Sequence, residues 1–394
     1  MNILLLTPYL PYPPHSGGSI RTFNLIKLIS KYHNVSLLSL VQKDETNYIS
    51  DLKKYCNVYS LPLKSTKYGR LKSLLSANPY VTMSKHFSTE NEKELHRIIN
   101  NNDFSIIQVE SLLMYAYVKN FKVIPKVLDA HNIESDILYR TALSKLDFRS
   151  VLNFVDYLKN IKYEQNAVQN FDACLAVSEN DYKRLSNMGA TKLMTLPNCV
   201  DLDYFYPNER KDYNPKIVFT GLMNWHPNID AIEFFCKETY PVLKKRIPEI
   251  KFYVVGRDPN KTIQKLDKCD DIFVTGEVAD VRPFISNSDI CIVPLRIGGG
   301  TRLKILEYFA MEKPVISTSI GAEGLDVENG KHLIIEDKIS KFPDRILELL
   351  NDPEYARFLA KNGRKLVEEK YSWSQYGDDL NMLYKGLMGD DNYG

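Results

Sequence analysis

Short apolar runs recur along the chain, and longer stretches with apolar residues three or four positions apart lie between them. In the first half the runs are NILLLTP, NVSLLSLV, FSIIQVE, PKVLDAH, ACLAVS and KLMTLPN, with IRTFNLIKLISKY and ENEKELHRIINNN among the spacers. The runs do not alternate cleanly between apolar and polar, so each predicts a strand covered on both faces. The spacers predict amphipathic helices. Strand and helix in turn predict a parallel sheet flanked by helices.

The pattern pauses at PNCVDLDYFYPNERKDYNP, residues 197–215, which is rich in Pro, Asn and Asp. It resumes with KIVFTG, KFYVVG, DIFVTG, DICIVPL, KPVISTS and HLIIED. Three of these strands end in glycine, as expected where a ligand meets the C-terminal edge of a parallel sheet. Two doubly wound α/β domains are predicted, at 1–198 and 215–370. Residues 199–214 are the linker, and 371–394 form a closing helix that packs back towards the first domain.

Composition narrows the class. At 394 residues the chain suits two domains. No run of about 18 apolar residues is present, so no membrane-spanning helix is predicted. The opening MNILLLTPYLPYPP has no basic residues and no small-residue cleavage site, and reads as a buried strand, not a signal peptide. The six cysteines are widely spaced with no CxxC pair, which predicts reduced thiols in a cytoplasmic protein. The net charge of +2 hides an asymmetry: residues 1–200 carry 24 Lys and Arg against 17 Asp and Glu, residues 201–394 carry 27 against 32. A basic first domain suits an anionic surface or partner; a solvated lysine-rich surface is the plainer reading.

Residues 296–316, RIGGGTRLKILEYFAMEKPVI, hold three consecutive glycines where a strand-to-helix connection needs one at most. DICIVPL is the strand, and RLKILEYFAMEK is a helix burying Ile305, Leu306, Phe309 and Ala310. Gly298, Gly299 and Gly300 then precede a helix N-terminus, where free amides and the helix dipole attract an anion. Arg302 and Lys304 oppose that dipole in the first turn, which points to an external anion such as phosphate. Glu307 lies clear of the apolar face and is placed to accept two ribose hydroxyls. Gly17 and Gly18 open the helix after the first strand, with Arg21 in its first turn. This is not a dinucleotide GxGxxG, because the loop is too long and the spacing differs. One glycine-rich helix start in each domain predicts a nucleoside diphosphate held in an interdomain cleft.

With these residues in view, the chain resembles glycosyltransferase family 4 over nearly its whole length. The resemblance runs through SGGSIR (16–21), LDAHNIES (128–135), LPNCVDLDYF (196–205), GLMNWHPN (221–228), VTGEVADVRPF (274–284), the highly specific block at 294–325, and YSW (371–373). It implies the GT-B fold, two Rossmann-like domains facing across a deep cleft. It also implies a retaining, metal-independent transfer from a nucleoside-diphosphate sugar, UDP- or GDP-linked, without a cofactor. The donor would sit on the C-terminal domain. The acceptor, a glycan or lipid-linked sugar of bacterial-type cell-surface polysaccharide synthesis, would sit on the N-terminal one. By position, Glu307 matches the ribose-binding glutamate, the amides near Arg302 and Leu303 the pyrophosphate site, and Glu277 and Val278 the base-binding loop. Gly18 matches a glycine near the phosphate and His131 the histidine beside the donor sugar. Gly17, Gly221, Asn224, Gly299, Gly300 and Thr301 complete the donor set, His131, Arg302 and Lys304 the catalytic set, and Arg21 faces the acceptor.

Two positions depart from the family pattern. Gly299 stands where a glutamate usually contacts the donor sugar, and Met223 where a phosphate-binding arginine is common. Asp201-Leu202-Asp203 looks like the DxD metal motif of another fold but lies in the linker, where Asp serves turns. LPLKSTKYGRLKSLLS interleaves Lys64, Lys67, Arg70 and Lys72 with leucines, so a peripheral contact with anionic membrane is one reading of it and a basic acceptor-side helix the other. No nucleic-acid module accompanies these cations. A nucleotide-sugar epimerase and a catalytically silent sugar-nucleotide-binding protein are the alternatives to transfer.

Overall fold

The computed structural model describes residues 1–63, 86–143, 148–208, 215–267, 271–298 and 300–389. The chain forms two compact units, Met1–Pro197 with Tyr376–Gly394, and Asn198–Gln375.

In the first unit seven strands make one parallel sheet: β1 (Asn2–Thr7), β2 (Asn34–Val41), β3 (Asn57–Pro62), β4 (Ile106–Val109), β5 (Lys126–Ala130), β6 (Ala173–Ala176) and β7 (Leu193–Thr195). Their order is β3-β2-β1-β4-β5-β6-β7. Ile3 to Leu6 of β1 are wholly buried. They register with β2 on one side (Leu4 with Ser36, Leu6 with Leu38) and with β4 on the other (Leu6 with Val109). β3 was not predicted. Its residues are largely half-buried or exposed at the sheet edge, so NVYSLP lacks the apolar run that betrays the other strands. Helix α1 (Gly17–Ile29) begins at Ser16, whose side chain and that of Ser19 cap each other's amides. Helix α2 (Glu134–Leu143) follows β5, and α3 (Phe148–Asn170) precedes β6.

In the second unit six parallel strands run β8 (Lys216–Thr220), β9 (Lys251–Val255), β10 (Ile272–Gly276), β11 (Ile290–Val293), β12 (Val315–Ser317) and β13 (Ile334–Ile335), in the order β10-β9-β8-β11-β12-β13. Helices α4 (His226–Phe234), α5 (Leu303–Ala310) and α6 (Pro353–Lys370) pack on it. α5 buries Tyr308 besides the four residues expected of its apolar face. The Tyr308 hydroxyl accepts from the Thr220 amide (2.8 Å), which pins α5 to the end of β8. Residues from Asn198 onward cluster with this unit, and the Asp201 carboxylate accepts from the amides of Asp203 (3.1 Å) and Tyr204 (3.2 Å), a turn-forming role.

The closing helix α7 (Gly377–Leu387) belongs to the first unit, where Tyr32 bonds Asp378 (3.0 Å) and Tyr384 is wholly buried. Both sheets reverse their strand order at the centre, between β1 and β4 and between β8 and β11. Chains diverge there at the C-terminal strand ends, leaving room for a ligand.

Candidate active site

In the first unit the ends of three central strands meet in a charged cluster. Glu110 follows β4, Asp129 lies in β5, and His131 follows it; both carboxylates are wholly buried. His131 Nε2 lies 3.2 Å from Asp129 and 3.4 Å from Glu110. Its Nδ1 faces the Tyr9 hydroxyl at 3.5 Å. Burial alone would lower the imidazole pKa, but Asp129 and Glu110 outweigh it and raise the value to about 9. His131 is therefore a cation at neutral pH. Burial likewise opposes charge on Asp129, yet Arg21 and His131 hold its carboxyl well below the usual range.

Arg21 corrects an expectation. Its guanidinium, 1% exposed, grips Asp129 through two bonds of 2.7 Å and donates to the carbonyls of Leu196 (2.9 Å) and Pro197 (3.1 Å). A side chain so enclosed does not face an acceptor; it holds Asp129 under His131. Gly18, next to Gly17 at the start of α1, is brought to the same place. A methyl group on it would lie 2.2 Å from the Tyr9 hydroxyl and 3.5 Å from His131 Nδ1. Glu110, Asp129 and His131 have ligand-type atoms within 4.8 Å of one another, the one such group among the described residues. Asp129 is already committed to Arg21, and the two carboxylates balance Arg21 and the imidazolium. The group fits a closed charge cluster better than a metal site.

In the second unit the β8 and β11 ends carry the other predicted residues. Gly221 directly follows β8, and Lys304 Nζ lies beside it, 3.2 Å from Asn228 Oδ1 and 3.7 Å from the centre of the Phe219 ring. Burial, and then Arg302, lower the Lys304 pKa to about 7 against the opposing pull of Glu307. Burial raises Glu307 to about 7, partly offset by Lys304. Arg302 is not in the first turn as expected. It is the N-cap of α5, 5% exposed, and its guanidinium turns back to donate to the Gly300 carbonyl (2.9 Å) near the Trp225 ring. That explains one glycine: a methyl group on Gly298 (φ 134°) would sit 2.5 Å from Arg302 Nη2. Gly300 also has positive φ, at 78°, and Thr301 packs against Gly324.

Other expected residues are more dispersed. Asn224 is exposed and lies 3.5 Å from Asp258. Glu277 is exposed after β10, while Val278 packs on the core below. Met223 is wholly buried in the core. Gly299 and the segment 64–72 lie outside the described residues. Sequence reasoning missed Glu110 and Asp129 as partners of His131, and Asn228 and Tyr308 as supports of α5.

Comparison with known proteins bears on what these clusters are for. A Staphylococcus aureus TarM variant in complex with Fondaparinux, alpha-GlcNAc-glycerol and UDP superposes with a TM-score of 0.71, covering 97% of this chain and 99% of that one at 14% identity. The fold is GT-B. Residues 214–352 match the family model "Glycosyl transferases group 1". An uncharacterized 44.6 kDa protein in the cps region of Klebsiella pneumoniae is 24% identical over 94% of this chain and 96% of its own length. The capsular polysaccharide biosynthesis glycosyltransferase CapM of Staphylococcus aureus is 27% identical over 38% of this chain and 42% of its own. Together these support a glycosyltransferase of GT-B fold. The stretch matched by the family model contains the whole Gly221–Lys304–Glu307 cluster. No helix among the described residues is long and apolar enough to cross a membrane.

Proposed function

We propose that the chain is a retaining, metal-independent glycosyltransferase of family 4. It moves a hexose from a UDP- or GDP-sugar to a glycan or lipid-linked acceptor in cell-surface polysaccharide synthesis, on the cytoplasmic side of the membrane. The observation that carries this reading is the convergence of Gly221, Lys304 and Glu307 at the β8/β11 switch point, in the segment matched by the group 1 model. UDP and alpha-GlcNAc-glycerol in the TarM complex, and the capsular role in the name of CapM, support the donor and acceptor classes.

Cleavage of the sugar–phosphate bond puts positive charge on the anomeric carbon and negative charge on the departing diphosphate. The amides at the start of α5 and the Lys304 ammonium stabilise the latter, more in the transition state than before it. Glu307 accepts the ribose hydroxyls. His131, held as a cation by Asp129 and Glu110, donates to an anionic or hydroxyl group of a substrate bound at the first unit's switch point and is ill suited to act as a base. The acceptor proton passes to the leaving phosphate on the same face. A segment such as 64–72 would bring the first unit to anionic membrane, a contact that liposome flotation with Lys64, Lys67, Arg70 and Lys72 reversed to Glu would test.

The test of the whole reading is incubation with a panel of nucleotide sugars, with and without a cell-envelope glycolipid extract, followed by proton NMR of fresh product. Acceptor-dependent transfer with the donor's anomeric configuration is expected. Turnover of donor without acceptor would favour an epimerase, and binding without turnover a silent binding protein. A β-linked product from an α-linked donor would overturn retention.

A further inference from the structure

The strand segment IIQVE contains two polar residues, Gln108 and Glu110, in an otherwise apolar run. At i and i+2 on β4 they share one face of the sheet, opposite Ile107 and Val109, which belong to the main apolar cluster. Both are wholly buried, as is Tyr384 of α7. Their bonds form a chain. The Tyr384 hydroxyl donates to Gln108 Oε1. Gln108 Nε2 donates to Glu110 Oε1 at 2.7 Å. Glu110 Oε2 accepts from Thr22 (3.1 Å) and lies 3.4 Å from His131 Nε2. A carboxylate only accepts, so the amide nitrogen of Gln108 must face Glu110 and its oxygen must face Tyr384. The direction of the whole chain follows from that one constraint.

We infer that Tyr384 and Gln108 are positioning residues for His131, acting through Glu110, so that the last helix of the chain is a working part of this site. The importance of His131 rests on the proposed function; the bracing does not. An apolar pair at 108 and 384 would serve packing as well, and burying four polar groups in series is costly unless every one is satisfied. What the chain accomplishes is to fix Glu110. With Gln108 on one oxygen and Thr22 on the other, the carboxylate is held at His131 Nε2. The ring is thereby oriented with Nδ1 towards Tyr9 and Gly18. The second brace, Arg21 on Asp129, draws on the carbonyls of Leu196 and Pro197. His131 is thus tied to the last residues before the chain leaves the first unit and to the helix with which it returns.

The charged and titratable groups around the ring are Tyr9 after β1, Arg21 on α1, Glu110, Asp129 and, at the start of α2, Glu134. Removal of Gln108 takes a donor from Glu110 and the acceptor from the Tyr384 hydroxyl, and leaves the other groups around the ring in place. The test follows the His131 imidazole by NMR in the donor-free, full-length protein labelled at histidine ring carbons and nitrogens. In Gln108→Leu, Glu110 loses a donor and is free to turn from Nε2, so the His131 titration midpoint should fall by about one pH unit, a tenfold change in proton affinity. Tyr384→Phe leaves Gln108 on Glu110 and should move the midpoint the same way by a smaller amount, about threefold in proton affinity. Tyr32→Phe is the control. It cuts the exposed bond to Asp378 on the same helix and should leave the midpoint unchanged. If Gln108→Leu does not fold, Tyr384→Phe against Tyr32→Phe carries the test. An unmoved midpoint in folded Gln108→Leu, or in Tyr384→Phe alone, overturns the inference. An equal shift in the Tyr32 control does so too, since it would report general loosening of α7. Absence of glycosyl transfer would count against the proposed function and leave this titration intact.

Discussion

Replacing Glu307 by Gln removes one charge from the cluster beside Gly221 and almost no volume. Burial holds the carboxyl near pKa 7, so in the ligand-free protein about half of it is ionised at neutral pH. Two ribose hydroxyls need the ionised form as acceptor, and hydrogen bonds to a charged group contribute roughly 1.5–3 kcal/mol. Donor affinity in Glu307→Gln should fall about 10- to 150-fold at pH 8, with turnover at saturation much less affected. The same reasoning sets a pH dependence. Wild-type affinity should weaken below pH 7 as Glu307 gains its proton. It should weaken again above pH 7 as Lys304, lowered to about 7, loses its own and no longer faces the diphosphate as a cation. Glu307→Gln should abolish the acid limb and Lys304→Met the alkaline one. Calorimetry with intact UDP- and GDP-sugars is the assay, because their diphosphate diester exchanges no proton over this range. If Glu307→Gln binds within about threefold of wild type and retains the acid limb, the carboxylate is structural and the ribose assignment is wrong.

The His131 cluster should make stability depend on alkaline pH. A folded-state pKa raised from 6.5 to about 9 gives stabilisation complete below pH 6.5 and lost as pH rises through 9, roughly 3 kcal/mol in all. Urea unfolding of wild type should show this loss between pH 6.5 and 10, and His131→Gln should not; identical losses in both would refute it. Arg21→Ala leaves Asp129 buried without its guanidinium and should cost roughly 3–5 kcal/mol in denaturant unfolding. A cost under about 1 kcal/mol would mean that Arg21 is not the strut its bonds suggest. Gly298→Val should displace the Arg302 guanidinium and add backbone strain of about 1–3 kcal/mol. Its donor affinity should fall at least as far as that of Arg302→Ala, and normal affinity would show that the loop has room to spare.

Much of the fold was legible because burial leaves a local record. LLLT, IIQV and KIVFT are apolar without alternation, which only a strand covered on both faces requires, and twelve such runs mark twelve of the thirteen described strands. NVYSLP escaped because an edge strand buries too little to leave that record. The site was legible in part for the same reason. Consecutive glycines before a helix announce a crowded backbone, and His131 at a strand end announces a ligand-facing edge. Sequence could not say what does the crowding. At Gly298 it is the guanidinium of Arg302, four residues on, and at Gly18 it is Tyr9.

The pairings were decided by tertiary structure alone. Arg21 read as a cation at a helix start, available to an acceptor. Its partner Asp129 lies 108 positions away and meets it because β1 and β5 flank β4 in the sheet. Gln108 and Glu110 passed unnoticed within a strand read as apolar, and Tyr384, 276 positions beyond Gln108, is the donor that makes Gln108 tolerable there. Periodicity records which side of an element is dry. It carries no information on which distant element lies against that side, and the order of strands in a sheet, which settles that, is fixed only when all of them pack together.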